Sequence, residues 1–83
     1  MYLVYILQSK LSGRYYIGQT INLDKRLKRH NSGLVKSTRS GAPWIVVHRE
    51  EFITRQAAYK RERQIKSYKG GAAFKRLFKN KID

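Results

Sequence analysis

The feature that most constrains the fold is an uninterrupted apolar and aromatic run near the start of the chain. This run, Tyr2–Leu7, reads YLVYIL and contains β-branched and aromatic residues but no charge. Its length and composition are typical of a strand that is buried on both faces. A strand covered on both faces lies inside a sheet, so we expect Tyr2–Leu7 to be the central strand.

Turn residues and helix caps divide the rest of the chain into two more strands and three helices. The predicted elements are a turn over 8–14, a strand over 15–20, a helix from the Asn22 cap to about His30, an exposed loop over 34–42, a strand over 44–52, a helix from the Thr54 cap to about Lys69, and a helix over 72–80. The order β-β-α-β-α-α predicts an α+β fold, in which helices flank a small three-stranded antiparallel sheet.

The balance of charges points to a polyanionic partner. The chain of 83 residues has 19 Lys and Arg against 5 Asp and Glu, which gives a formal net charge of +14. Such a charge opposes compaction by self-repulsion and favours binding to a polyanion such as nucleic acid. The length leaves room for one domain, so we expect 1–83 to form a single domain.

Composition also excludes several classes of protein. The chain has no cysteine, which excludes disulfides, a cysteine-based zinc site and a thiol nucleophile, and fits a reducing compartment. The run YLVYIL is too short to span a membrane and lacks the features of a secretory signal. We therefore expect a soluble cytoplasmic protein that does not bind membranes. Glycine patterns of phosphate loops or dinucleotide sites are absent from the sequence.

Acids are scarce, so each one is informative. Glu50 and Glu51 lie near a strand end and are predicted to be solvated. Glu62 lies within a basic helix, and helical spacing places it at the edge of the small apolar face formed by Ala58 and Ile65. One interpretation is an i, i+4 salt bridge to Lys66. The other is a ligand for a hard cation such as Mg²⁺, with water and a phosphate completing the coordination.

Arg26 and His30 form a second constellation, because their i, i+4 spacing places them on one helix face. They border a stripe of Leu23 and Leu27, which we expect to face the core. Arginine can bind a phosphate bidentately, and histidine can transfer a proton near neutral pH. The alternative is a basic solvated face, since the neighbouring residues include Lys25, Lys28 and Arg29.

The predicted hairpin is unusually rich in tyrosine, with Tyr2, Tyr5, Tyr15 and Tyr16. Strand packing explains most of them. A tyrosine hydroxyl can also accept or relay a proton if nearby cations lower its pKa, and the net charge favours such a shift. Gly18, inside or at the end of the second strand, indicates either a close approach of another group to the backbone or a special φ/ψ.

Together these residues resemble the GIY-YIG nuclease superfamily, and above all its small stand-alone bacterial members. The resemblance runs from Tyr2 to about Lys69, and the order of elements fits throughout. It rests on Val4-Tyr5-Ile6, Tyr16-Ile17-Gly18, Arg26-Leu27-x-x-His30-Asn31-Ser32-Gly33, Pro43-Trp44 and Glu62-x-x-Ile65-Lys66. The first signature keeps only its tyrosine, because Leu3-Val4 stands where the family has Gly-Ile. The second signature is complete.

The resemblance implies a metal-dependent endonuclease that hydrolyses phosphodiester bonds of DNA. It implies that Tyr5 activates the attacking water, as general base or relay, with assistance from His30, and that Tyr16 orients water or phosphate. Arg26 would bind the scissile phosphate, and Glu62 would hold one divalent ion, Mg²⁺ or Mn²⁺. An alternative function is a non-catalytic basic module that keeps the nuclease fold and binds DNA or RNA.

The remaining cations are expected to form a track for the phosphate backbone. Its predicted members are Lys25, Lys28, Arg29, Lys36, Arg39, Arg61, Arg63, Lys66 and Lys69. Such contacts give salt-sensitive affinity without sequence preference. We therefore expect selectivity for the shape of DNA. RNA as the substrate, and a protein partner or a homodimer as the source of specificity, remain open alternatives.

Overall fold

The computed structural model describes residues 1–79 and contains a three-stranded sheet and three helices. The strands are β1 (Tyr2–Ser9), β2 (Tyr15–Thr20) and β3 (Trp44–Phe52), and the helices are α1 (Leu23–Asn31), α2 (Arg55–Ser67) and α3 (Ala72–Lys79). Both strand pairings are antiparallel, and the strand order is β2-β1-β3. The predicted α+β class, element order and central first strand are confirmed. In the described residues no helix is long and apolar enough to cross a membrane.

Side chains of β1 alternate between two hydrophobic clusters, one on each face of the sheet. Val4 and Ile6 pack with residues of α2 and α3, including Ala58, Ile65 and Phe74. Tyr5 and Leu7 point to the opposite face and pack with Leu23 of α1 and with Trp44. All four of these β1 side chains are fully buried. Because of this alternation, the Tyr5 side chain lies on the face of the sheet that α1 covers.

Side-chain caps set the starts of the two helices that carry candidate site residues. The Asn22 side chain accepts a hydrogen bond from the backbone N–H of Lys25, and the Thr54 side chain accepts one from Ala57. A cap of this kind stabilises a helix by about 1 kcal/mol. Because the start of a helix determines which residues face inwards, the caps help to orient the site residues on α1 and α2.

Two predicted boundaries differ from the structure. Strand β1 continues two residues beyond Leu7, because Ser9 still pairs with Trp44 of β3. Helix α2 ends at Ser67 rather than near Lys69, which has a φ of +50°. The last residue of the predicted third helix, Asn80, lies outside the described residues.

The loop between α1 and β3 is not exposed throughout, contrary to the prediction. It contains a 3₁₀ turn over Arg39–Gly41, and Thr38 is fully buried. The indole N–H of Trp44 donates a hydrogen bond of 2.8 Å to the Thr38 carbonyl. This contact holds the loop against the cluster below α1, where Thr38 reaches the candidate site.

Candidate active site

Three buried side chains form a hydrogen-bonded chain beneath α1. The Tyr5 hydroxyl lies 3.1 Å from Nε2 of His30, and Nδ1 of His30 lies 2.8 Å from Oγ1 of Thr38. The Thr38 hydroxyl donates to the Val35 carbonyl at 3.4 Å, so its oxygen is left to accept the Nδ1–H of His30. Nε2 of a neutral His30 is then the acceptor for the Tyr5 O–H.

Burial keeps both titratable members of this chain uncharged at neutral pH. It raises the pKa of Tyr5 to about 12, and Tyr16 adds to the rise while Arg26 opposes it. Burial also lowers the pKa of His30 below 6.5, and the charges of Arg26 and Arg29 act in the same direction. The expected lowering of a tyrosine pKa is therefore wrong for Tyr5, because desolvation outweighs the positive field.

Tyr16 and Gly18 of β2 complete the surroundings of the Tyr5 ring. The centroid of the Tyr16 ring lies 4.8 Å from that of His30 and 6.4 Å from that of Tyr5. Gly18 pairs with Tyr5 across the two strands. A Cβ atom on Gly18 would lie only 2.6 Å from the Tyr5 hydroxyl oxygen and 2.8 Å from Cζ. The close approach predicted at Gly18 is thus confirmed, and the approaching group is the Tyr5 phenol.

We expect Gly18→Ala to destabilise the protein by about 1–3 kcal/mol, the usual cost of overpacking. The Tyr5 ring is fully buried and bonded to His30, so it cannot yield easily to a new methyl group. The free energy of unfolding in urea measures the cost. In a Tyr5→Leu background the same change should cost much less, because the clashing atoms are gone. Equal costs in the two backgrounds would contradict this origin of the strain.

Glu62 of α2 is held by two polar partners. Gln19 donates to its Oε1 at 3.1 Å, and the ammonium group of Lys66 lies 2.7 Å from its Oε2. The predicted salt bridge to Lys66 is therefore present. The Glu62 side chain is only 14% exposed, and its charge contributes to the raised pKa of Tyr5. The carboxylate is thus electrostatically coupled to the tyrosine–histidine pair.

The ligands available around Glu62 suit a hard cation that keeps most of its bound water. They do not form a closed cage of protein side chains around a metal. Among residues 1–79 no group of three or more His, Cys, Asp or Glu side chains could enclose a metal. Mg²⁺ commonly takes only one or two protein carboxylates and keeps water and substrate phosphates as its other ligands. Each Glu62 oxygen has a second lone pair beyond the one facing Gln19 or Lys66. One carboxylate with an unused lone pair on each oxygen fits that mode of binding.

Arg26 is half-buried on α1 and lies close enough to influence the pKa of both Tyr5 and His30. It also lines a cleft of about 300 Å³ together with Gln19, the residue whose amide binds Glu62. The structure thus brings together all five residues of the implied catalytic set, Tyr5, Tyr16, Arg26, His30 and Glu62, through contacts or charge coupling.

The cations of the predicted track are not equivalent. Lys25 and Arg29 line a second cleft with Arg26. Other members are exposed on α1, the following loop or the α2 region, namely Lys28, Lys36, Arg39, Arg63, Lys66 and Lys69. The guanidinium of Arg39 donates to the Gly33 carbonyl at 3.0 Å. These positions allow contact with a polyanion on more than one side of the protein.

Arg61 and Glu50 form an ion pair that the sequence reasoning missed. The guanidinium donates to the two carboxylate oxygens of Glu50 at 2.7 and 3.0 Å, and His48 contacts the same carboxylate at 2.7 Å. These partners, Arg61 first, lower the pKa of Glu50 although burial opposes the shift. The prediction of a solvated Glu50 is wrong, because the side chain lies between β3 and α2. Arg61 is correspondingly less available to a phosphate.

Fold and site together define a class: a small α+β protein with a buried tyrosine–histidine pair beside an arginine and one acid. Residues 1–75 match the family model described as the GIY-YIG catalytic domain. The chain belongs to this family.

Three similar proteins illustrate the range of its relatives. UPF0213 protein HQ_3675A of Haloquadratum walsbyi is 46% identical over 54 residues, which cover 64% of this chain and 61% of that protein. The solution NMR structure of UPF0213 protein BH0048 from Bacillus halodurans shares 33% identity over 89% of this chain and 92% of that one, with a TM-score of 0.49. The human structure-specific endonuclease subunit SLX1 is 38% identical over 55 residues, covering 58% of this chain and 20% of that protein.

Proposed function

We propose that this chain is an endonuclease that hydrolyses phosphodiester bonds of DNA with a divalent metal ion and selects DNA by shape. The observation that carries the proposal is the buried pair of Tyr5 and His30, 3.1 Å apart, beside Arg26 in a member of the GIY-YIG catalytic domain family. The name of the human relative, a structure-specific endonuclease subunit, supports both the reaction and the selectivity.

Tyr5 acts in this proposal as a proton relay rather than as a standing base. With a pKa of about 12, its hydroxyl is neutral at physiological pH. The hydroxyl oxygen takes a proton from the attacking water while its own proton passes to Nε2 of His30, which becomes an imidazolium. The Thr38 oxygen accepts the other ring N–H throughout. No proton is lost or gained in this transfer, and the water becomes a nucleophile towards phosphorus.

Arg26 and Tyr16 serve the phosphate in the proposed reaction. A guanidinium can bind two phosphate oxygens and stabilise the charge that develops on them in the transition state. The Tyr16 hydroxyl orients the attacking water or the phosphate. Glu62 would hold Mg²⁺ or Mn²⁺, and the ion, when bound, supplies Lewis acidity at the phosphate and the leaving oxygen. Gln19 and Lys66 keep the Glu62 carboxylate in place.

The proposed substrate and location follow from charge and composition. A net charge of +14 on 83 residues provides sequence-independent affinity for a phosphate backbone, and the exposed members of the predicted track supply the contacts. DNA is the proposed partner, in the cytoplasm, with RNA, a protein partner and a homodimer as the alternatives. Such affinity falls steeply as salt increases.

The proposal is tested on a panel of end-labelled single-stranded, duplex, nicked, flap and branched DNA, plus RNA of equal length. Each substrate is incubated with wild-type protein in Mg²⁺, Mn²⁺ or chelator. We expect internal cuts on branched or unpaired DNA that require a divalent ion, because the negative Glu62 would contribute to stabilising the leaving oxygen only through a cation that it holds. Salt-sensitive binding without cuts on the whole panel would instead favour the non-catalytic binding module.

A further inference from the structure

An arginine outside the implied catalytic set lies over the ring of a tyrosine at the rim of the site. The Cζ atom of Arg55, the first residue of α2, lies over the Tyr2 ring at 5.6 Å from its centroid. Tyr2 is half-buried and packs against the core cluster of Val4 and Ile6, whereas Arg55 is exposed. The tyrosine therefore supports the guanidinium from the core side. Among the described residues Arg55 forms no salt bridge.

The Arg55–Tyr2 pair forms part of a cleft that Arg26 of the candidate site also lines. The cleft of about 300 Å³ is lined by Tyr2, Gln19, Thr20, Ile21, Arg26 and Arg55. It shares Thr20, Ile21 and Arg26 with the second cleft, of about 320 Å³, to which Lys25 and Arg29 contribute. Within residues 1–79 no acid lines either cleft, so the described linings form a continuous positive surface around Arg26. Ile21 is 72% exposed and gives this surface an apolar wall.

We propose that the first cleft is a subsite for one unpaired nucleotide beside the scissile phosphate, with its base stacked on the Arg55–Tyr2 pair. Unpaired bases stack readily on guanidinium planes and aromatic rings, and a base within a duplex has no free face to offer. Arg26 binds the phosphate of the same nucleotide, and the second cleft receives the adjoining backbone. This inference rests on the proposed function and specifies which feature of the DNA shape is recognised.

Arg55 could contact the DNA in two ways, by its charge on a phosphate or by stacking on a base. The two contacts differ in what they require of residue 55. A phosphate contact needs only a positive charge, which lysine also supplies. Stacking needs the planar guanidinium, which lysine lacks. Arg55→Lys therefore separates the two, because it keeps the net charge and the salt dependence of binding while it removes the stacking surface. Tyr2→Leu removes the supporting ring in an independent way.

The experiment uses flap DNAs with 2-aminopurine at each unpaired position near the junction, bound to the full chain in chelator. Stacking quenches 2-aminopurine, so wild-type protein should quench one of these positions. Arg55→Lys and Tyr2→Leu should remove the quenching and weaken flap binding about 5- to 150-fold, the range for loss of one base stack. Binding to fully paired duplex should change little. Because chelator prevents cleavage, failure of this inference is distinguishable from failure of the proposed nuclease activity.

Arg14→Lys is the matched control. The Cζ atom of Arg14 lies 5.8 Å from the centroid of the Trp44 ring, in a pair of the same kind at the opposite end of β1 and β2. This change should leave quenching and affinity as in wild type. The subsite would be overturned if Arg55→Lys kept both the quenching and the flap affinity of wild type. It would also be overturned if wild-type protein quenched no position, or if the variants lost affinity for duplex and flap equally.

Discussion

Glu62→Gln should abolish metal-dependent cleavage and leave DNA binding intact or tighter. The amide is close in size to the carboxylate and can still accept a hydrogen bond from Gln19 or Lys66, but it carries no charge to attract a divalent ion. The chemical contribution of a bound ion is several kcal/mol of transition-state stabilisation, so the cleavage rate should fall at least about a thousandfold. Binding should not weaken, because a negative charge near the phosphate has been removed. Single-turnover cleavage and fluorescence anisotropy measure the two quantities.

Glu51→Gln provides the control for this change. Glu51 is an exposed acid of β3, so its replacement alters the net charge by the same amount without touching the site. It should cleave like wild type and bind slightly tighter. Cleavage by Glu62→Gln at the wild-type rate would show that the carboxylate serves only the ion pair with Lys66, and would remove it from the proposed mechanism.

The second large effect is expected for Tyr5→Phe, which should slow cleavage about 10²- to 10⁴-fold, the contribution of a positioned proton-transfer group. Phenylalanine keeps the ring that packs on Gly18 and removes only the hydroxyl that bonds His30. The change leaves Nε2 of His30 buried without its partner, at a cost of about 1–3 kcal/mol in stability. Rates are therefore compared at a temperature where circular dichroism shows both proteins folded.

Tyr15→Phe serves as the comparison, because Tyr15 lies on the same hairpin but is partly exposed and stacks on Phe78. Its cleavage rate should match wild type. The wild-type rate should also fall as pH drops from the ordinary histidine pKa of about 6.5 through the lowered pKa of His30, since a protonated Nε2 cannot accept the proton of Tyr5. The stability supplied by neutral His30 is complete above that window and declines within it. Cleavage by Tyr5→Phe at the wild-type rate would exclude the relay.

Local pattern in the sequence predicts the elements well and the contacts between distant segments poorly. The run Tyr2–Leu7 indicates its own central position, because only a strand covered on both faces carries such a run. The Thr38 contact to His30 depends on how an irregular loop folds back under α1, and no periodicity marks it. Gln19 and Glu62 are 43 residues apart and Glu50 and Arg61 are 11 apart, so their pairing appears only after α2 packs on the sheet.

The chemistry of Tyr5 illustrates the same limit. Composition indicates a strongly positive field, which alone would lower a tyrosine pKa. The structure shows a fully buried hydroxyl, and desolvation reverses the direction of the shift. Burial is a property of the packed fold, so the residue types could not decide between a general base and the proposed proton relay.

The alternation along β1 has an evolutionary consequence. Tyr5 lies between Val4 and Ile6, which fill the opposite hydrophobic cluster, so a backbone adjustment that repositions the tyrosine also disturbs the packing of α2 and α3. Changes in this strand that alter substrate specificity should therefore also destabilise the fold. The exposed residues around the clefts, such as Ile21 and Arg55, can change without disturbing the packing of the two hydrophobic clusters. Divergence in substrate preference among descendants of this protein should therefore accumulate at the rim, while the strand at the centre stays as it is.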